Sequence, residues 1–160
     1  MEYRMYSFVL RQLNPMQKGV QTTHAVVEYA EKQGKDNEDY RKWANEDKTL
    51  IVLDGGIYQD MMEIMENLLK FGIKFAPFYE PDLNHMCTAI AVLADERVWN
   101  LEKYPNYDPY PQPPTVTRDG VELQLAVHVE SIPYETWVEY MGGEAIVKLR
   151  ELIFSKRLAQ

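Results

Sequence analysis

An α/β fold with a mixed four-stranded sheet flanked by helices is what this sequence predicts, and three observations carry the prediction. Apolar patterns of period two and period 3.6 alternate along residues 3–104. Two of the period-two segments, 73–79 and 88–93, lie so close together that they pair as antiparallel neighbours in an otherwise mixed sheet. A proline-rich stretch from Tyr104 then interrupts both periods before one more strand and two helices. The predicted organisation is an α/β core over 1–103 and an extension over 104–160 that packs on it.

Taken in order, residues 3–13 form the first strand: Met5, Ser7, Val9 and Arg11 alternate with Tyr6, Phe8 and Leu10, and Asn14-Pro15 ends the run with a turn and a helix start. A helix follows over 16–33, with Val20, Val27 and Tyr29 on its inward face and Gly34 stopping it. A short helix is predicted around 39–43. The unbroken apolar run to Leu53, closed by Asp54-Gly55-Gly56, reads as a strand buried on both sides. Met61, Met62, Ile64, Met65, Leu68 and Leu69 make a wide stripe on the next helix, with Gly72 as its C-cap, and the methionines read as adaptable core. The third and fourth strands follow, and a helix begins at Asp95.

The stretch 104–114 holds five prolines and three tyrosines in eleven residues, so it reads as a strap through which no helix or inner strand can run. Residues 121–129 alternate as a half-buried strand after a turn at "TRDG". Pro133 opens a helix broken by Gly142-Gly143, and 144–158 is a final helix with Ile146, Leu149, Leu152 and Ile153 inward.

Composition bounds the function. A chain that is 46% hydrophobic and 12% aromatic can bury a core of its own. A formal net charge of −8 argues against a long footprint on nucleic acid and leaves room for a local basic patch or one small anion. Cys87 is the single cysteine, so no intramolecular disulfide forms and no cysteine-based zinc site exists; with a start unlike a signal peptide and no apolar run of membrane length, a cytoplasmic protein is expected. His24, His85 and His128 show no metal-ligand spacing, and no cofactor motif is present.

The candidate chemistry lies where strand ends converge, because ligands in open α/β sheets settle at the carboxyl edge. The turn and helix after the first strand supply Asn14, Gln17, Lys18 and Gln21; the bend after the third supplies Glu80, Asp82, Asn84 and His85; Thr88 opens the fourth. If the sheet brings these ends together, Lys18 faces Glu80 and Asp82; the plainer alternative is a surface ion pair of little consequence. His24 is either a core histidine or, with an ordinary pKa near neutrality, a general acid or base.

The stretch "YSFVLRQLNPMQKGVQTTHAVVEYA", with Lys18-Gly19, Gln21 and His24-Ala25, resembles the opening of the type II peptidyl-tRNA hydrolases, and "FGIKFAPFYE" and "TAIAVL" match later parts in order. The resemblance spans residues 3–103. It implies a homodimer that cleaves the ester between a peptide and the tRNA 3′ end, with the working lysine at Lys18, the family's aspartate at Glu80 or Asp82 and its threonine at Thr88. Asn84 would then hold substrate atoms and His24 would support the start of the helix. The chain departs from the family in its compact "EPDLNHMC" turn and in everything from Tyr104 onward. Two other readings use the same residues differently: a protein that binds a small nucleotide in that cleft without turning it over, and an interaction module whose contacts are Trp137, Tyr140 and the basic segment 148–157.

Overall fold

β1 (Tyr3–Leu10) is the strand around which the molecule is organised: from Met5 onward every residue is buried, and its alternation divides two cores. The computed structural model describes residues 1–110, 115–118, 121–124 and 131–160. Tyr6, Phe8 and Leu10 point to one face of the sheet, Met5 and Val9 to the other, as a period of two requires. The chain continues through α1 (Pro15–Tyr29), a π-helical turn, α2 (Glu38–Lys42), β2 (Thr49–Gly56), α3 (Tyr58–Lys70), β3 (Phe75–Glu80), β4 (Met86–Asp95) and α4 (Glu96–Trp99). A hairpin of β5 (Thr115–Arg118) and β6 (Val121–Gln124), then α5 (Tyr134–Met141) and α6 (Glu144–Phe154), complete it.

The sheet is open, mixed and four-stranded, in the order β2-β1-β4-β3. β1 runs parallel to β2, and β4 runs antiparallel to both β1 and β3. The carboxyl ends of β1, β2 and β3 and the start of β4 therefore share one edge. Met61, Ile64 and Leu68 of α3, with Leu149 and Ile153 of α6, cover one face; Ala25 and Tyr29 of α1, with Trp43, cover the other. Because α6 sits in the same core as β1 and α3, the last helix of the region beyond residue 103 is part of the packing.

Several expectations change. The first strand ends at Leu10 and not at Leu13, where the chain turns toward the α1 cap. The inward face of α1 is Gln21, Thr22, Ala25 and Tyr29, whereas Val20 and Val27 are exposed: the buried Gln21 serves the strand ends, and rotating the helix to bury the valines would pull it away. β2 is an edge strand of the four, with Leu50 42% exposed, so its apolar run marks a sheet border and not a two-sided core strand. On α3, Met61 is buried, Met62 and Met65 are half-buried and Leu69 is exposed. The last helix stops at Phe154, because the following residues leave to pair with β2: Arg157 O accepts from Asp54 N (2.9 Å) and Ala159 N donates to Val52 O (3.0 Å). Arg150, expected among surface contacts, is buried and donates to the carbonyls of Arg97 and Tyr104 and to Asn106. Of the strand expected at 121–129, residues 125–129 lie outside the described residues, as do 111–114 of the strap and 119–120 of the turn.

Candidate functional site

Two bulges shape the shared edge of the sheet. In the pairing of β3 with β4, Phe78 meets Ala89 and Tyr79 meets Cys87, which leaves Thr88 as the extra residue. Strict alternation would send Thr88 to the α3 face with Ile90 and Val92; the bulge instead turns it toward α1. In the pairing of β1 with β2, Val9 meets Asp54 and Leu10 meets Gly56, with Gly55 extra. A Cβ at Gly55 would fall 2.3 Å from Met61 Sδ and 2.9 Å from the Val9 carbonyl, so the close approach requires glycine.

α1 is aimed at this edge by its own start. Asn14 caps it, accepting from Gln17 N (2.9 Å), while Gln17 Oε1 accepts from Asn14 N (3.1 Å), and Pro15 occupies the first turn. Asn14 and Gln17, expected as ligand-binding residues, thus spend these side-chain oxygens on the helix backbone. One turn on, Gln21 is buried and joins three elements: Thr88 Oγ1 donates to Gln21 Oε1 (2.6 Å), and Gln21 Nε2 donates to Glu80 Oε2 (2.5 Å). The backbone N–H of Asp82 donates to the other Glu80 oxygen at 3.4 Å. The Gln21 hydrogen bond is the main cause of a Glu80 pKa below the ordinary carboxylate value; partial desolvation opposes it, and the Asp82 N–H and the nearby His24 add to it. Glu80 is therefore ionised at neutral pH, half-exposed, and held in one orientation.

His24 lies one turn beyond Gln21, exposed, with its ring against Phe78 at 4.5 Å between centroids. It is neither the core histidine expected from its spacing nor far from the chemistry. Lys18, one turn before Gln21, shares its helix face, since residues three apart stand about 5–6 Å apart at Cβ. Its ammonium donates to the Gln160 backbone oxygen at 2.5 Å. Glu80, Gln21, Thr88 and His24 are thus gathered where α1 crosses the ends of β3 and β4, whereas the expected pairing of Lys18 with Glu80 and Asp82 is not found among the described residues: the Lys18 ammonium is taken by the C-terminal segment that lies along β2. Asp82, Asn84 and His85 occupy the exposed bend between those strands, and Asn84 (φ 52°) and His85 (φ 54°) both take the left-handed conformation that reverses the chain.

At the far end of the same edge stands a second arrangement, which the sequence did not single out. Asp54, 8% exposed, accepts from Arg11 Nε (3.2 and 3.0 Å to its two oxygens), from Arg157 Nε (3.0 Å) and from Gly56 N (2.9 Å). Desolvation pushes its pKa up, but the Gly56 N–H and the two guanidiniums outweigh this and hold it below the ordinary value. The only local hint was an aspartate ahead of two glycines at a strand end; Arg157 comes from a position 103 residues away in sequence. An apolar groove of about 580 Å³ lies elsewhere, between α3 and β3, bordered by Met62, Met65, Leu69, Phe75 and Tyr79. Among the described residues no three histidine, cysteine, aspartate or glutamate side chains cluster as metal ligands, and no helix is long and apolar enough to cross a membrane. Compared with known proteins, the chain matches no family model and no curated protein.

Proposed function

We propose that the chain is an ester hydrolase acting on peptidyl-tRNA, as its resemblance to the type II peptidyl-tRNA hydrolases implies. The observation that carries this reading is the relay Thr88–Gln21–Glu80, which ties α1 to two strand ends and fixes an ionised carboxylate beside a lysine-bearing helix turn. Hydrolysis of an aminoacyl ester needs a placed water, a base for its proton and a positive group for the developing oxyanion. Glu80 supplies the base: with Oε2 held by Gln21, its carboxylate is oriented toward a water at the partly open rim. Lys18 supplies the cation: its ammonium is held by the Gln160 oxygen in this structure, and the reading requires it to exchange that partner for the ester oxygen. Gln21 and Thr88 are positioning residues. His24, on the exposed side of the carboxylate, favours its ionised form and is placed to pass the proton onward to the leaving ribose oxygen.

Incubation of the full chain with N-blocked aminoacyl-tRNA tests the reading. Release of the blocked amino acid, lost in Lys18→Ala and in Glu80→Gln, is the expected result; no release above background, with both variants indistinguishable from the parent, ends it. Retained tRNA or nucleotide without product would identify the non-catalytic binding alternative. The homodimer belongs to the same reading and is tested by light scattering, where a mass twice that of the chain supports it.

A further inference from the structure

The Asp54 cluster has a geometry that a structural ion pair does not require. Both arginines meet the carboxylate through Nε, the inner corner of the guanidinium. Among the described residues, the terminal nitrogens of neither guanidinium find a protein acceptor, and the two side chains remain 52% and 69% exposed. One carboxylate is thus shared by two cations, which leaves a surplus positive charge in a chain whose formal charge is −8. The backbones are fixed as well as the side chains. Arg11 N donates to Gly56 O (2.8 Å) from the β1 side, and Arg157 O accepts from Asp54 N (2.9 Å) on the outer side, so β2 is gripped from both flanks. Lys18 adds a third cation nearby: its ammonium touches Gln160, three residues from Arg157, a span of at most about 10 Å of extended chain.

We propose that Arg11 and Arg157, held side-on by Asp54, form a binding site for a phosphate group. A guanidinium pinned at Nε presents its outer Nη edge as a rigid fork, and two such forks match the oxygens of one tetrahedral oxyanion. The immobilisation that normally weakens an exposed arginine contact is here already supplied by the buried carboxylate. The same phosphate chemistry has two sources, a free phosphate or nucleotide and the sugar-phosphate chain of a tRNA 3′ end. Assignment to the second rests on the hydrolase reading, since the helix that carries Gln21 of the Glu80 relay also touches the C-terminal segment of this cluster through Lys18; the anion site itself does not.

Calorimetric titration of the full chain at low ionic strength, with inorganic phosphate, adenosine 5′-monophosphate and a short CCA-ending oligoribonucleotide, tests the site. The parent binds at least one probe, Arg11→Gln and Arg157→Gln each weaken binding about tenfold or more, and Arg41→Gln, an exposed arginine on α2, leaves it unchanged. No heat with any probe, or equal affinity in parent and both variants, overturns the proposal. Arg11→Gln keeps the test decisive if Arg157→Gln releases the C-terminal segment, because Arg11 stays anchored through its backbone. Tighter binding of the oligoribonucleotide than of phosphate assigns the site to nucleic acid, and equal affinity assigns it to a free anion. Phosphate binding lost in the variants while the parent cleaves no peptidyl-tRNA would leave the site standing and remove the hydrolase. Cleavage with an unchanged KM in both variants would leave the hydrolase and detach the site from its substrate.

Discussion

Asp54 and Glu80 close two strands of the same sheet at the same edge, and each is an ionised carboxylate with a lowered pKa, yet they are held in opposite ways. Asp54 is almost fully buried and takes two guanidiniums and one backbone N–H, so its hydrogen-bonding capacity is largely spent on the protein. Glu80 is half-exposed and takes a neutral amide and one long backbone contact, with no cation bonded to it among the described residues. A carboxylate neutralised by two arginines is a poor base, because a proton arriving there must displace both partners. One oriented by an uncharged amide keeps lone pairs for a water. The difference separates an anchor from a candidate reactive group at positions that look alike in sequence.

The sharpest way to break that distinction is Glu80→Gln, expected to lower kcat/KM on N-blocked aminoacyl-tRNA by about 10²-fold or more while the melting temperature moves by only about 2 °C. A large thermal loss with activity retained would make Glu80 the anchor. Thr88→Val keeps the shape of a fully buried side chain but leaves Gln21 Oε1 without its donor; urea denaturation should show a loss of about 1–3 kcal/mol, with slower turnover following from a misplaced amide. Asp54→Ala frees both arginines and the Gly56 N–H. Because the guanidiniums are largely exposed and return to water, the expected cost is smaller, about 1–2 kcal/mol, with no change in kcat.

The smallest effect is in pH dependence. A carboxylate whose folded pKa lies below its unfolded value near 3.9 stabilises the protein above that value, and the contribution disappears as pH falls through the folded pKa. Acid titration of unfolding should therefore show parent stability declining below about pH 4, with a shallower decline in Asp54→Asn. Equal slopes would mean that the cluster contributes no linked proton uptake.

The order of strands and helices was legible because the two periodicities are local, and so was the sheet type; Gln21, Glu80 and Thr88 were named as candidates, but the expected partnership was Lys18 with Glu80 and Asp82, not the hydrogen bonds that join these three. The orientation of α1 was not legible. Apolarity alone assigns Val20 and Val27 inward, and nothing in a one-dimensional pattern signals that Gln21 is buried to serve strands 59 and 67 residues away. The bulge at Thr88 was likewise invisible, being a register shift between two strands that each look regular. The Asp54 cluster required the pairing of residues 157–159 with β2, a contact with no local cause. The burial of Cys87 was not legible either: it pushes the thiol up to about 12, which keeps it protonated and unreactive.

That C-terminal pairing has a consequence for the solubility of the molecule. Of the two outer strands, β3 carries Pro77, which offers no N–H to a visiting chain, while β2 has no such guard and an exposed Leu50. Residues 157–159 occupy the ladder positions that would otherwise recruit a second sheet. A chain shortened before Arg157 should consequently aggregate through edge-to-edge association at concentrations where the full chain stays dispersed, independently of any effect on catalysis.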